Sequence, residues 1–289
     1  MRILVVGGSG MLGHKLVQFL QKRHFVGTTI RGNFGEIESY GIFQKENTFE
    51  NVDVENFSVI EQVVETFQPQ VVINAVGVIK QLPTAKNAVK TILLNSLFPH
   101  QLAELTQQLG VRLITIGTDC VFDGKKGNYT EEDIPNAQDL YGKSKNLGEV
   151  SGEHCLTLRT SIIGRELKTA HSLIEWFLSN QGKTVKGFTN AVFTGFPTIV
   201  LAEIIQKIIE DFPDLSGLYQ VAGEPINKFE LLKLTRDAYQ ADIEIEPSDD
   251  FKMDRSLDSH KFRTATKIEF ADWKTMIETM AEDNAIYQK

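Results

Sequence analysis

The sequence predicts an α/β protein: a doubly wound parallel sheet with helices on both faces, followed by a smaller α/β lobe. Three observations lead there. Apolar runs bounded by turn residues alternate with segments of helical period through the first half of the chain. A glycine cluster, "VVGGSGMLGHKL", falls between the first apolar run and the first helical segment. At 289 residues, 42% of them hydrophobic, the chain can close a large core. Strand–helix–strand order requires right-handed crossovers, and hence a parallel sheet buried on both sides.

Taken in order, "RILVVG" (2–7), "VGTTI" (26–30), "VVINAV" (71–76), "RLITIG" (112–117) and "CLTLRT" (155–160) read as strands buried on both faces. Residues 11–22, 57–67, 85–109 and 141–150 carry apolar side chains at helical spacing. Pro99 lies inside the longest of these and should bend or interrupt it just past Asn95, because proline has no N–H to offer. After about residue 160 the rhythm loosens. "HSLIEWFLSN", "TIVLAEIIQKIIEDF" and "FELLKLTRDAY" read as amphipathic helices, with "LYQVAG" and "DIEIEP" as shorter extended pieces. The expected division is a dinucleotide-binding domain at 1–160 and a substrate-binding lobe at 161–289, with the chain free to cross back to the first.

Composition narrows the function. A net charge of −8 argues against nucleic acid or an anionic membrane as partner, since phosphate binding needs clustered lysine and arginine. Cys120 and Cys155 are too few for a disulfide framework or a zinc site. "MRILVVGG" enters a strand pattern at residue 2, leaving no room for a signal peptide, and no apolar run reaches the length of a membrane span. The expectation is a soluble cytoplasmic protein without metal.

The glycine turn points to a cofactor. Glycines at 7, 8, 10 and 13 allow a backbone to turn sharply and approach a pyrophosphate at a helix N-terminus, as in Rossmann-type folds. Gly8, Gly10 and Gly13 fit GxGxxG, whereas Gly7, Gly10 and Gly13 fit GxxGxxG. At the end of the second strand, where an acid would bind the ribose of NAD, stands Arg31 with no acid beside it. An arginine fork suits a 2′-phosphate, so NADP(H) is expected, with NAD(H) the second choice.

Chemistry is suggested by "DLYGKSKNLGE", where Lys145 follows Tyr141 by four positions. None of the other five of the six tyrosines has a lysine at that spacing. One helical turn apart, the ammonium would favour the phenolate and draw the phenol toward the range useful for proton transfer.

These motifs occur in the order seen in the extended short-chain dehydrogenase/reductases, and the chain resembles the dTDP-4-dehydrorhamnose reductase branch in particular. The resemblance rests on the glycine turn, "NVDVEN" around Asp53, "NAVG" at 74–77, Asn95, "GTDCVFDG" at 117–124 and "YGKSK" at 141–145. "LRTSIIG", "GFPTIVLAEII" and "RSLDS" are similar to later segments of that branch. It implies the GxxGxxG reading, with Gly7, Ser9, Gly10, Met11, Leu12 and Gly13 around the pyrophosphate. It implies that Asp53 and Val54 border the adenine, and that Ala75, Val76 and Gly77 line the cofactor's middle. Tyr141 would be the proton donor and Thr118 a hydrogen-bond donor to the same oxygen; Lys145 would also hold the nicotinamide ribose, and Asn95 a water. The implied reaction is NADPH-dependent reduction of a keto group on a nucleotide-activated deoxysugar, by a homodimer, for surface polysaccharide synthesis.

Departures from the branch matter too. Relatives that dehydrate sugar nucleotides carry Thr-Asp-Glu where this chain has Thr118, Asp119 and Cys120, so the base for water elimination is missing. Cys120 and Ile162 replace two aromatics that would face a sugar ring. The Arg-Pro pair expected before the Ser-x-Leu-Asp run is absent, and Lys252 is read as the cation in its place. Asp119, Cys120, Ile162, Phe196 and Lys252 are thus the expected substrate contacts. Two other functions fit the motifs: a sugar-nucleotide epimerase that keeps NAD, and a non-catalytic dinucleotide-binding subunit like the regulatory subunit of methionine adenosyltransferase.

Overall fold

Along the first strand, Ile3 and Val5 face one way and Leu4 and Val6 the other, and all four are fully buried. A strand with no wet face needs helices on both sides, and the chain supplies them. The computed structural model describes residues 1–78 and 87–287. The strands in chain order are β1 (Arg2–Val6), β2 (Phe25–Thr29), β3 (Thr48–Phe49), β4 (Val71–Asn74), β5 (Arg112–Ile116) and β6 (Cys155–Arg159). There follow β7 (Ile162–Ile163), β8 (Lys183–Phe193), β9 (Phe196–Pro197), β10 (Gly217–Gln220), β11 (Ile226–Asn227) and β12 (Ile243–Asp254). The main sheet has seven strands in the order β10-β6-β5-β4-β1-β2-β3, with every neighbouring pair parallel. The order reverses beside β1, so a crevice opens at the carboxyl ends of β1 and β4, where such sheets bind ligands.

The helices are α1 (Gly13–Leu20), α2 (Phe57–Phe67), α3 (Ala88–Ile92), α4 (Phe98–Gln108) and α5 (Leu140–Leu147), then α6 (Leu173–Leu178), α7 (Thr198–Asp211), α8 (Lys228–Tyr239), α9 (His260–Thr266) and α10 (Trp273–Glu282). Ile3 and Val5 join a core with Leu16 and Leu20 of α1 and Leu201 and Ile205 of α7. Leu4 and Val6 join the opposite core with Ile60 and Val64 of α2 and Phe98 and Leu102 of α4.

The predicted strands and helices of the first half are present, with ends shifted by a few residues. The first two residues of the predicted 85–109 helix lie outside the described ones. Within that helix, one π-helical turn at Leu93–Leu97 separates α3 from α4, whose first turn contains Pro99. Proline cannot return a hydrogen bond to the Asn95 carbonyl, and the widened turn absorbs the mismatch.

The second half is less separate than its sequence suggests. "LYQVAG" supplies β10, the edge strand of the main sheet, paired with β6. Beyond the sheet, β8 lies between β11 and β12 in a three-stranded sheet, parallel to β12 and antiparallel to β11. This smaller sheet ends beside the crevice.

Candidate active site

The floor of the crevice is the turn between β1 and α1. Gly7 sits at φ +92°, a backbone conformation that side chains resist. A Cβ on Gly13 would lie 2.1 Å from the Gly7 carbonyl oxygen, so only glycine lets α1 start this close to the strand. Gly10 is exposed at the tip, between Ser9 and Met11, while the Leu12 side chain turns into the core. The GxxGxxG frame therefore has a physical basis at Gly7 and Gly13. Behind the turn, the buried His14 donates through Nδ1 to the Gly10 carbonyl at 2.8 Å and accepts from the Tyr287 hydroxyl at 2.5 Å. Burial, with Lys15 beside it, pushes His14 down to about 3, so the brace is neutral.

One side of the crevice is the end of β2. The N–H groups of Asn51 and Val52 bond to the carbonyls of Gly32 and Ile30, which brings Asp53 and Val54 alongside. Asp53 is exposed and caps its own turn through the Glu55 N–H. Arg31 is exposed at the same edge. The expectation of no nearby acid needs correction: Glu36 folds back so that its carboxylate would lie 2.7 Å from a Cβ on Gly32. That carboxylate is held by the Asn33 N–H and paired with Lys168, which offsets its charge.

The other side is built by α5. Its N-cap, Asp139, accepts from the Gly142 N–H at 2.8 Å. Two glycines seat the helix: a Cβ on Gly142 would lie 2.3 Å from the Cys120 carbonyl, and one on Gly148 would lie 1.8 Å from the Asn95 carbonyl. The first contact presses the start of α5, with Tyr141, onto the 118–120 turn, where Thr118 Oγ1 donates to Asp119 Oδ1 at 3.2 Å. One turn along, Lys145 Nζ donates to the Ile116 carbonyl at 2.8 Å and stands 3.9 Å from where a Gly77 Cβ would be. Gly77 is exposed at the end of β4, next to Ala75 and Val76, and Val76 rests against Gly7. The glycine turn, the end of β4 and Lys145 are thus neighbours in turn, with Tyr141 one helical turn from Lys145.

The charges in it differ from expectation. Burial raises the Tyr141 phenol above its ordinary value; Cys120, Asp119 and Asp139 raise it further, and only the hydrogen bond from Thr118 pulls it down. Lys145 was expected to lower the phenol, but its ammonium is spent on the Ile116 carbonyl. Burial lowers Lys145 itself to about 8, with Glu149 opposing. Tyr141 therefore keeps its proton at neutral pH.

Asn95 was expected to hold a water. In the structure its carboxamide is buried, accepting from the Val78 N–H at 2.8 Å and donating to Ser144 Oγ at 3.2 Å. It clamps α5 to the end of β4, which is a positioning role beside Lys145.

The expected substrate residues divide. Asp119 and Cys120 lie in the crevice; burial pushes Asp119 up and Cys120 up to about 12. Ile162, half-buried on β7, packs against the main core and pairs with Phe196 of β9. Phe196 is fully buried, edge-on to Phe270 at 4.9 Å, so it is core and touches no substrate. Lys252 is exposed on β12, opposite Asn190 of β8, and the crevice has other cations instead. Arg255 donates to the Phe122 carbonyl at 2.9 Å and reaches Cys120 Sγ at 3.6 Å. Lys228 acts electrostatically on Asp119 and Cys120. Arg255 directly precedes the "SLDS" run, and that adjacency was the available signal; Lys228 had none. Among the described residues there is no cluster able to hold a metal ion, and no helix long and apolar enough to cross a membrane.

Comparison with known proteins bears on the family and the fold. The family model described as "RmlD substrate binding domain" matches residues 1–286. Methionine adenosyltransferase 2 subunit beta of Bos taurus is 31% identical over 155 residues, 51% of this chain and 41% of that protein. The match thus spans less than half of that relative. The dTDP-4-dehydrorhamnose reductase of Aggregatibacter actinomycetemcomitans is 26% identical over 235 residues, covering 78% of this chain and 74% of that one. Among solved structures, the dTDP-4-dehydrorhamnose reductase of Bacillus anthracis, in complex with NADP, superposes with a TM-score of 0.78 at 21% identity, covering 96% of this chain and 98% of its own. At that identity the likeness is one of fold.

Proposed function

The chain belongs to the RmlD substrate binding domain family, and from that premise we propose that it reduces the keto group of a nucleotide-linked 4-keto-6-deoxysugar with NADPH. In this reading the protein is a cytoplasmic homodimer serving surface polysaccharide synthesis. One observation carries it: a half-buried, protonated phenol stands one helical turn from Lys145, which lies beside Gly77 and, through Val76, the glycine turn.

The crevice fits a dinucleotide. Gly10 leaves the tip of the turn open to a pyrophosphate, and Arg31 stands free in solvent where a 2′-phosphate would lie. Bound there, NADPH supplies a hydride. The Lys145 ammonium, which donates to the Ile116 carbonyl beside Gly77, would bond the nicotinamide ribose. Tyr141 gives its proton to the developing alkoxide, and Thr118 donates a hydrogen bond to the same oxygen. A raised phenol suits this direction of reaction, because it makes Tyr141 a donor first. Val89, Ile92, Leu97 and Leu147 are exposed apolar side chains on α3, the π turn and α5, and they support the homodimer.

The similarity to methionine adenosyltransferase 2 subunit beta favours a second reading, a dinucleotide-binding regulatory subunit. The discriminating experiment supplies nucleotide-linked 4-keto sugars, generated in place by a dehydratase, and follows the loss of NADPH absorbance. Turnover supports the reductase; NADPH binding without turnover of any of them favours the subunit.

Two further outcomes are expected. Arg31→Asp should shift the kcat/KM ratio of NADPH to NADH toward NADH by about tenfold or more, since one charge-assisted bond to the phosphate is replaced by repulsion. An unchanged ratio would place 2′-phosphate recognition elsewhere. Reductive turnover should also fall as pH rises through about 8. Lys145 is an ammonium below that value and a neutral amine above it, so the basic side of the profile should report its loss of charge. A profile flat to pH 10 would remove Lys145's charge from the mechanism.

A further inference from the structure

One imidazole ties the last described turn, Asp283–Tyr287, to the glycine turn. His14, at the start of α1, is fully buried. Its backbone N–H donates to the Gly10 carbonyl at 3.1 Å, and its Nδ1 donates to the same oxygen at 2.8 Å. The far side of the ring, Nε2, meets the Tyr287 hydroxyl at 2.5 Å, with the two rings edge to face at 5.8 Å. A neutral imidazole has one N–H, and which nitrogen carries it is set by the partner of the other. By donating to Nε2, the Tyr287 hydroxyl keeps that proton on Nδ1, facing the Gly10 carbonyl. Tyr287 is held in its own right. The Lys15 ammonium and the Arg165 guanidinium lie 4.7 Å and 4.8 Å from its ring centre. Asp283 accepts from Lys15 and, at 2.7 Å, from Gln18 Nε2, while Asn284 Oδ1 accepts from Arg165. A short turn after the last helix frays unless it is tied down. This one is paired with a lysine side chain only 3% exposed.

We infer that Tyr287 and His14 are positioning residues of the dinucleotide site, acting through the Gly10 peptide on the pyrophosphate of the bound cofactor. A trans peptide is planar, so its carbonyl and its N–H point in opposite directions. With the Gly10 oxygen drawn inward to the His14 ring, the Met11 N–H of the same peptide is turned outward at the exposed tip of the glycine turn. Among the described residues that N–H has no acceptor, which leaves it for a phosphate oxygen, as amides at a helix N-terminus commonly are. The inference rests on the reading of this turn as a dinucleotide site. It adds that a residue 273 positions beyond His14 governs how well the turn holds a phosphate.

The test is equilibrium binding of two probes to the full chain: NADPH, and adenosine 2′-monophosphate, which carries the ribose phosphate but no pyrophosphate. Wild-type protein is compared with Tyr287→Phe, His14→Leu and His14→Asn, and the thermal midpoint of each is measured without ligand. Asparagine places an amide N–H where imidazole Nδ1 stood, so it keeps the bond to Gly10 and dispenses with Tyr287. NADPH binding should weaken about threefold to tenfold in Tyr287→Phe and about tenfold or more in His14→Leu, the range for one misaligned or lost bond to a charged group. His14→Asn should bind NADPH close to wild type, and adenosine 2′-monophosphate should bind all four proteins alike. Tyr287→Phe takes a single hydroxyl from a half-buried position, so it reports even where His14→Leu does not fold. Wild-type NADPH affinity in Tyr287→Phe and His14→Leu overturns the inference. Equal weakening toward both probes also overturns it, because that marks a general loosening of the fold, and so does His14→Asn binding no better than His14→Leu. A wild type that binds no NADPH overturns the dinucleotide reading itself, whereas normal binding with indifferent variants overturns the positioning role alone. The two ideas therefore fail separately.

Discussion

Replacing Tyr141 with phenylalanine should lower kcat by about 10²- to 10⁴-fold, the usual contribution of a positioned general acid, and leave NADPH affinity nearly unchanged. The substitution removes one oxygen from a half-buried ring. The nearby Thr118 hydroxyl already donates to Asp119 Oδ1 at 3.2 Å, so no polar group is orphaned and the fold should hold. The crevice otherwise keeps its shape, because α5 is seated by Gly142 and Gly148 rather than by the phenol. Single-turnover measurement with saturating NADPH isolates the chemical step from binding. Thr118→Val is expected to act in the same direction but more weakly, since it removes a bond to the oxygen and not the proton. If Tyr141→Phe keeps most of its kcat, the proton comes from another group, and the phenol is merely structural.

The role of Tyr141 could be suspected from the sequence; its electrostatic state could not. A four-residue spacing places two side chains on one helix face, but it does not say which neighbour the ammonium will choose. Here the carbonyl at the end of β5 takes it, and burial decides the phenol. The parallel sheet was legible because strands buried on both faces are written as unbroken apolar runs, and those are hard to mistake. β8 was not, since its burial alternates irregularly along "KTVKGFTNAVF" and two of its residues face solvent at the start. Missing β8 meant missing where β12 ends, and with it the approach of Arg255 to the Phe122 carbonyl. Phe196 shows the opposite error: an apolar residue in a motif was read as a contact, when its neighbours make it core. Motif position carries over the backbone path well. What each side chain touches depends on packing from segments far away in the chain.

The glycine turn offers the second large effect, and it separates two reasons for having glycine. Gly13→Ala should both destabilise the protein by several degrees and abolish measurable NADPH binding. Its Cβ would fall 2.1 Å from the Gly7 oxygen and 2.9 Å from the Gly7 carbon, and both are backbone atoms that cannot rotate aside. The start of α1 must then lift off β1, at a cost of about 1–3 kcal/mol or more, typical of overpacking, and the crevice floor moves with it. At Gly10 the nearest atom to a Cβ is the Gly7 oxygen at 3.3 Å, which a small shift accommodates, and Gly10 is exposed at the tip. Gly10→Ala should therefore melt within about 1 °C of wild type, the size of effect a few tenths of a kcal/mol produces in a chain of this length. Its methyl group would instead occupy the space a pyrophosphate needs, and NADPH affinity should fall about tenfold or more. Thermal midpoint and dinucleotide affinity, measured on the same two variants, thus report fold and ligand independently. A Gly10→Ala protein that binds NADPH like the wild type would mean that the phosphates do not approach this turn, and the dinucleotide assignment would have to be given up even with the fold intact.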